Sequence, residues 1–264
     1  RAGEALTAAF TSSFVGALVA VLMFTFLAPL VAKFALQFGP PEFFSVYLLT
    51  FCSFVGTGKG NPFKIVAAMM LGFAMAAVGI DIVTGQLRLT FGFTELLSGF
   101  HFLVAVIGLF GIGEILLSME EGLSFSGHSA KINPKIVLQT WKQLPRYWAT
   151  SIRSCIIGCW MGIIPGGATP ASFMSYGVAR KVSKDGAKFG TGQVEGVVAP
   201  ETAAHAAGTS ALLPMITLGI PGSPTAAVLL GGLMIWGLQP GPLLFVEQKD
   251  FVWGLIASMY LGNI

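Results

Sequence analysis

Residues 10–32 form a run of 23 positions without a single charge. As a helix, at ~1.5 Å per residue, such a run reaches ~35 Å, enough for the ~30 Å hydrocarbon core of a bilayer. A backbone surrounded by lipid must satisfy its own polar groups, which only helices and closed barrels do. Three further apolar runs follow, at 43–57, 64–83 and 97–119, so the sequence predicts four transmembrane helices within 1–119. Composition agrees: 10% of the 264 residues are charged, against ~25% in soluble domains. The expected fold class is an all-α polytopic membrane protein. The net charge of +3 requires no nucleic-acid partner and is assigned to basic loops facing the cytoplasm.

Residues 120–153 differ in composition. They carry Lys131, Lys135, Lys142 and Arg146, interleaved with Trp141 and Trp148, and read as a cytoplasmic linker with a helix lying at the membrane surface. With that linker inside, threading backwards puts Arg1, Lys59 and Lys64 inside too, and only Lys33 and Arg88 outside. The segment 154–264 then opens a second half. Its first apolar stretch, 154–164, is too short to cross and ends in Pro165-Gly166-Gly167. A helix start follows, with Thr169 as N-cap and Pro170 in the first helical position. It runs into Arg180, Lys181, Lys184 and Lys188. Basic clusters on both sides of one short apolar excursion predict a re-entrant helical hairpin with its tip at 165–172. A second tip is expected at 221–225, where Pro221-Gly222 is followed by Ser223 as cap, Pro224 and Thr225. A third break is Gln239-Pro240-Gly241-Pro242. The chain begins without Met and stops inside an apolar run, and is read as the middle of a longer protein.

Broken helices at mid-depth point to an anion site. A helix amino terminus presents unpaired N–H groups and roughly half a positive charge. Two such termini facing one another hold carboxylates without a cationic side chain. The candidate substrate residues are Pro165, Gly166, Gly167, Thr169, Ser172, Gly222, Ser223 and Thr225, the glycines for close approach and the hydroxyls as donors. His205, set among Ala and Gly, reads either as a core histidine or as a substrate or proton ligand. Glu195, Glu201, Thr209 and Ser210 are candidate ligands of a coupling cation, Na⁺ or H⁺, with Thr209 and Ser210 in a stretch expected to be unwound. Asp81 and Glu114 lie near span ends, where solvation is cheap, and read as interfacial. No cofactor is called for.

The tip sequence from Pro165 through Thr169-Pro170-Ala171-Ser172 to Tyr176 resembles the signature of the large membrane subunit (TctA) of tripartite tricarboxylate transporters. So do Phe189-Gly190-Thr191-Gly192-Gln193 through Pro200-Glu201, then Leu218-Gly219-Ile220-Pro221-Gly222-Ser223-Pro224-Thr225, and Gly237-Leu238-Gln239-Pro240-Gly241-Pro242. With Phe38-Gly39-Pro40-Pro41-Glu42 and Phe91-Gly92 the resemblance covers nearly the whole chain. It implies binding-protein-dependent secondary uptake of tricarboxylates or related small organic acids across the bacterial inner membrane. The implied partners are a small membrane subunit (TctB-like), a periplasmic solute-binding protein (TctC-like) and the surrounding membrane lipid. It also implies an earlier inverted half, before Arg1. The first tip departs from the commonest family form by being one residue shorter, and Ala204-His205-Ala206-Ala207 stands where many members carry paired Asn.

Other signals are weaker. Gly158, Gly162 and Gly166 recur every four residues, which suits close helix packing. Cys52, Cys155 and Cys159 fall in apolar runs and read as buried, inert thiols. Gly56-Thr57-Gly58-Lys59-Gly60 lacks the spacing of a phosphate-binding loop. A membrane enzyme is the first rival reading, but neither a His-Glu-x-x-His nor a Gly-x-Ser-x-Gly pattern occurs. An anion channel is the second.

Overall fold

A computed structural model describes residues 2–57, 60–81, 84–121, 133–164 and 167–263. Pro165 and Gly166 lie outside the described residues, as do Gly58, Lys59, Val83 at the end of the third expected span, and Lys131. The fold is that of an all-α membrane protein. Its helices are α1 (Ala2–Ala35), α2 (Pro40–Thr57), α3 (Pro62–Ala76), α4 (Phe102–Val106), α5 (Gly113–Glu121), α6 (Pro134–Gln143), α7 (Trp148–Ile163), α8 (Ala168–Val182), α9 (Glu195–Ser210), α10 (Leu212–Leu218), α11 (Pro224–Ile235), α12 (Leu244–Glu247) and α13 (Lys249–Gly262). Between α4 and α5 the chain winds as a π-helix over Ile107–Ile112. Two helical stretches are long and apolar enough to cross a membrane, Ala2–Ala35 and Phe102–Glu120.

The spans predicted in the first part of the chain differ in detail. Asn61 caps α3, accepting from the Phe63 N–H, with Pro62 next to it. The helix then stops at Ala76 rather than running on towards residue 83. Gly79, at φ 124°, cannot continue a helix. It opens a two-stranded antiparallel ribbon, β1 (Gly79–Ile80) and β2 (Leu87–Arg88), closed by an ion pair between Asp81 and Arg88. Cys52 lies exposed on α2, unlike Cys155 and Cys159, which are buried as expected. Helix α7 begins at Trp148, six residues before the apolar stretch 154–164. In α6, Asn133 caps the helix and Trp141 Nε1 donates to Thr11 Oγ1 at 3.0 Å, tying it to α1.

The core is built around α9, which is rich in small residues. Along α1 the buried positions Ala8, Ser12, Gly16, Ala20, Phe24, Ala28 and Ala32 recur every fourth residue. This row presents a narrow, mostly small-residue face on which another helix backbone can sit closely. Gly16 lies so near the Thr202 carbonyl that no Cβ fits there. On α7, Gly158 does the same: a Cβ would come within 2.5 Å of the Ala203 carbonyl oxygen. Larger side chains gather further along, where Phe24, Leu213, Met215, Ile216, Leu230, Leu244, Val252 and Ile256 form the main apolar cluster. Without a hydrophobic force between helices in lipid, close packing of this kind carries association.

Pairings along these helices fix their directions. Ser13 meets Glu201, Gly16 meets Thr202 and Ala20 packs with Ala206, so α1 runs parallel to α9. Thr150 meets Glu195, Gly158 meets Ala203 and Gly162 meets Ala207, so α7 also runs parallel to α9. The return helix α8 is antiparallel, with Ser175 Oγ donating to the Ala199 carbonyl at 2.9 Å and Ser183 Oγ to Glu195 at 2.5 Å.

Candidate functional site

The hairpin of α7 and α8 turns back at half the depth of the helix it packs on. The stretch α9–α10 comprises 16 residues, then Ala211, then 7 more, a path of ~36 Å. Gly162, in the last turn of α7, lies against Ala207 and Ser210, near the middle of that path. At the same level Cys159 packs with Ala206 and with Ala20, the middle of the 34-residue α1. Two contacts hold the hairpin closed along its length: the Ser154 and Ser175 hydroxyls share a hydrogen bond at 2.8 Å, and both Thr150 and Ser183 donate to Glu195 at 2.5 Å.

At the turn, Gly167 is the N-cap of α8, with φ 78° and ψ −175° and no side-chain cap. The sequence reading had placed Thr169 in that role. Thr169 instead sits within the first turn and is exposed, and Pro170 removes one of the first-turn N–H groups. The extended, left-handed geometry available to Gly167 lets the helix begin two residues earlier. Ser172, half-buried, donates to the Ala168 carbonyl at 3.1 Å.

The second turn follows α10. Gly219, at φ 72°, ends the helix and brings the chain so close to the Pro240 carbonyl that a Cβ would sit 2.9 Å from it. The chain then doubles back, so that Gly222 packs on the Gly162 carbonyl and on Ala211. Here the sequence pattern is met in full: Ser223 is the N-cap, its Oγ accepting from the Ala226 N–H at 3.2 Å, and Pro224 occupies the first position of α11. Thr225 is exposed. The beginnings of α8 and α11 therefore both lie within a few residues of Gly162 and Ala211.

Thr209 and Ser210 are helical, not unwound. The irregularity is confined to Ala211, because Pro214 has no N–H for the Ser210 carbonyl and its ring displaces that oxygen. Ser210 is fully buried and donates to the Ala206 carbonyl at 2.6 Å.

The three remaining candidates fall elsewhere. Glu195 is buried at the first turn of α9, where a carboxylate suits the helix dipole, and joins the starts of α7 and α9 to the end of α8 through Thr150 and Ser183. Beside it, burial and the Glu195 charge push the Tyr147 hydroxyl pKa up. Glu201 and His205, one turn apart on α9, lie on the α1 side at 3.8 Å, with Ser13 Oγ donating to Glu201 at 3.2 Å. His205 and Ser13 border a cavity of about 600 Å³ against α1, α6 and the end of α13. The structure thus packs Gly222 of the second turn against Gly162 and Ala211 and puts the Glu201–His205 pair on the α1 side of α9. Ser13 and Ala211 were not legible as site neighbours: neither stands in a motif, and only tertiary pairing exposes them.

Matches to known proteins extend across this whole arrangement. A family model described as "Tripartite tricarboxylate transporter TctA family" matches residues 1–264. An uncharacterized 52.8 kDa protein in the TAR-I ttuC' 3'region of Agrobacterium vitis is 36% identical over 268 aligned positions, covering 100% of this chain and 52% of that protein. A second Agrobacterium vitis protein, uncharacterized and in the TAR-II ttuC' 3'region, is 44% identical over 108 positions, 40% of this chain and 45% of its own length. The chain spans about half the length of the curated relatives it matches. No solved structure matches.

Proposed function

Because this chain belongs to the tripartite tricarboxylate transporter TctA family, we propose that it is the tip-bearing part of a multi-pass carrier for small organic acids in the bacterial inner membrane. The observation that carries this reading is that the turn leading into α11 packs, through Gly222, on Gly162 near the end of α7 and on Ala211 at the break between α9 and α10. The amino termini of α8 and α11 each contribute roughly half a positive charge, so the pair matches a carboxylate without a buried lysine or arginine. Gly167 leaves the first turn of α8 open, with nothing within 4 Å of where a Cβ would be. Thr169, Ser172, Ser223 and Thr225 are the candidate hydroxyls of this site and Gly222 its close-approach glycine, with Pro165 and Gly166 as further candidates from the sequence. Glu195 acts as a structural clamp in this reading, while Thr209 and Ser210 sit beside the freed carbonyl at the break and suit a cation. One half of the core moves against the other, and uptake is gradient-driven and dependent on a periplasmic binding protein and a small membrane subunit.

The test is uptake of a panel of labelled mono-, di- and tricarboxylates by cells producing the full-length protein with its suspected partners. Saturable uptake that needs both the binding protein and an ion gradient is expected, and Ser172→Trp with Ser223→Trp is expected to abolish it while leaving membrane insertion intact. Undiminished uptake in that double variant removes the tips from the site. Uptake that never saturates and needs no binding protein favours a channel instead.

A further inference from the structure

We infer that the foot of the α7–α8 hairpin is a binding surface for an anionic phospholipid, with the phosphate at Lys142 and Arg146 and the acyl chains along α7. The inference does not depend on what the tips hold, only on the chain's place in a membrane. Residues 122–184 contain eight Lys or Arg and no Asp or Glu. In sequence these cations fall in two separate stretches, 131–153 and 180–184. The structure makes one surface of them. Glu195 accepts from Thr150 near the start of α7 and from Ser183 just past the end of α8. That bridge brings the end of α8, with Arg180 and Lys181, to the start of α7, where Arg146 lies.

The corner between α6 and α7 is fixed from behind and open in front. Leu144 and Tyr147 pack on Ala8, Val194 and Val198, and Trp141 Nε1 donates to Thr11 Oγ1. Lys142 and Arg146, set between these anchors, are exposed. From this corner an apolar ridge runs along α7: Trp148, Ile152, Ile156 and Trp160 recur every fourth residue, and each is more than half exposed. Residues at that spacing share one helix face. Cations at the foot of an exposed apolar ridge match a phospholipid in order as well as in kind, with charge at the headgroup and hydrocarbon beyond it. Trp148 stands at the junction, the level an indole favours in a bilayer.

Charge decides which lipid. The acids whose charge reaches Tyr147, at the centre of this end, are Glu195, Asp185 and Glu4. Glu195 is buried and occupied by Thr150 and Ser183. Asp185 is held by Lys188 at 2.8 Å; Lys188 first, and Arg146 after it, keep its carboxyl below the usual range. On α7 the cation Arg153 is turned to the Ala149 carbonyl and Thr150 Oγ1. Lys142, Arg180, Lys181 and Lys184 are exposed and make no ion pair among the described residues. A zwitterionic headgroup carries its own cation and gains little from such a surface, whereas an anionic one is drawn by each Lys or Arg near it. A free phosphate ion meets the same cations and has no use for the ridge.

The experiment uses the full-length protein, purified in a neutral detergent and stripped of lipid. Its melting temperature is followed as phosphatidylglycerol, phosphatidylcholine with the same acyl chains, or inorganic phosphate is added. Only phosphatidylglycerol is expected to raise it, and a photoactivatable phosphatidylglycerol is expected to cross-link within residues 134–160. In Lys142→Glu with Arg146→Glu, the lipid concentration giving half the shift is expected to rise by about tenfold or more. Lys181→Glu with Lys184→Glu is expected to raise it by less, and Lys33→Glu, in the last turn of α1, to leave it unchanged. A parent-like response in the first pair overturns the inference; if that pair fails to fold, a parent-like response in the second does so. Equal shifts with phosphatidylcholine, a shift reproduced by inorganic phosphate, cross-links confined to other segments, or no response of the unaltered protein to any of the three also overturn it. These readouts involve no uptake, so the carrier reading stands or falls separately.

Discussion

The two turns that lead into α8 and α11 look alike in sequence and differ in how they are held. At the second, Ser223 accepts from the Ala226 N–H and Pro224 follows it, so the start of α11 is satisfied by its own cap. At the first, Gly167 supplies no side-chain cap to α8. One helix start carries a side-chain cap and the other does not. The difference teaches that an Ile-Pro-Gly break followed by a hydroxyl residue and proline does not define one structure. Two extra residues, Gly167 and Ala168, move the helix start away from the hydroxyl-proline pair.

This contrast can be broken most severely at the residue both turns share. Gly162→Leu drives a side chain into the Ala207 carbonyl and Ser210 and separates the turns. Overpacking of this kind costs ~1–3 kcal/mol or more, and the expected outcome is loss of uptake together with a lowered melting temperature of the purified full-length protein. Gly167→Ala comes next. With open space around it, the cost is that of holding an L-residue at positive φ, ~1–2 kcal/mol. Uptake is expected to fall more than stability does, measured by transport and thermal melting side by side. Ser223→Ala then separates the turns by role: loss of a cap costs ~1 kcal/mol, visible in melting, whereas Thr169→Ala is expected to leave melting within ~0.5 kcal/mol and to weaken the affinity for the acid. Equal melting losses in the two would end the distinction. The smallest effect is expected at Thr202, whose buried Oγ1 has no hydrogen-bond partner among the described residues. Thr202→Val removes an unsatisfied hydroxyl worth ~1–3 kcal/mol when stranded, so melting should stay level or rise.

The sequence made some of this legible and not the rest, for physical reasons. Ser223-Pro224 was readable because an N-cap and a first-position proline act within one turn of chain. Thr169-Pro170 carried the same local signal, and Gly167 overrode it through a backbone conformation that a residue string does not display. The four-residue spacing of Gly158 and Gly162 announced close packing, but its partner carbonyls belong to α9, some forty residues on. Ser13 opposite Glu201 is further still, 188 positions away, and no local pattern points to it. The end of α3 at Ala76 escaped because hydropathy continues past it while Gly79 turns the chain.

The parallel course of α1, α7 and α9 has a consequence in simple parity. If α1 and α7 traverse a bilayer in the same sense, the chain between them must cross it an odd number of times. Of the helices between them, Phe102–Glu120 is long and apolar enough to be one such passage. A single reporter placed after α1 and another before α7 must therefore face opposite compartments, and losing or gaining one passage would put them on the same side.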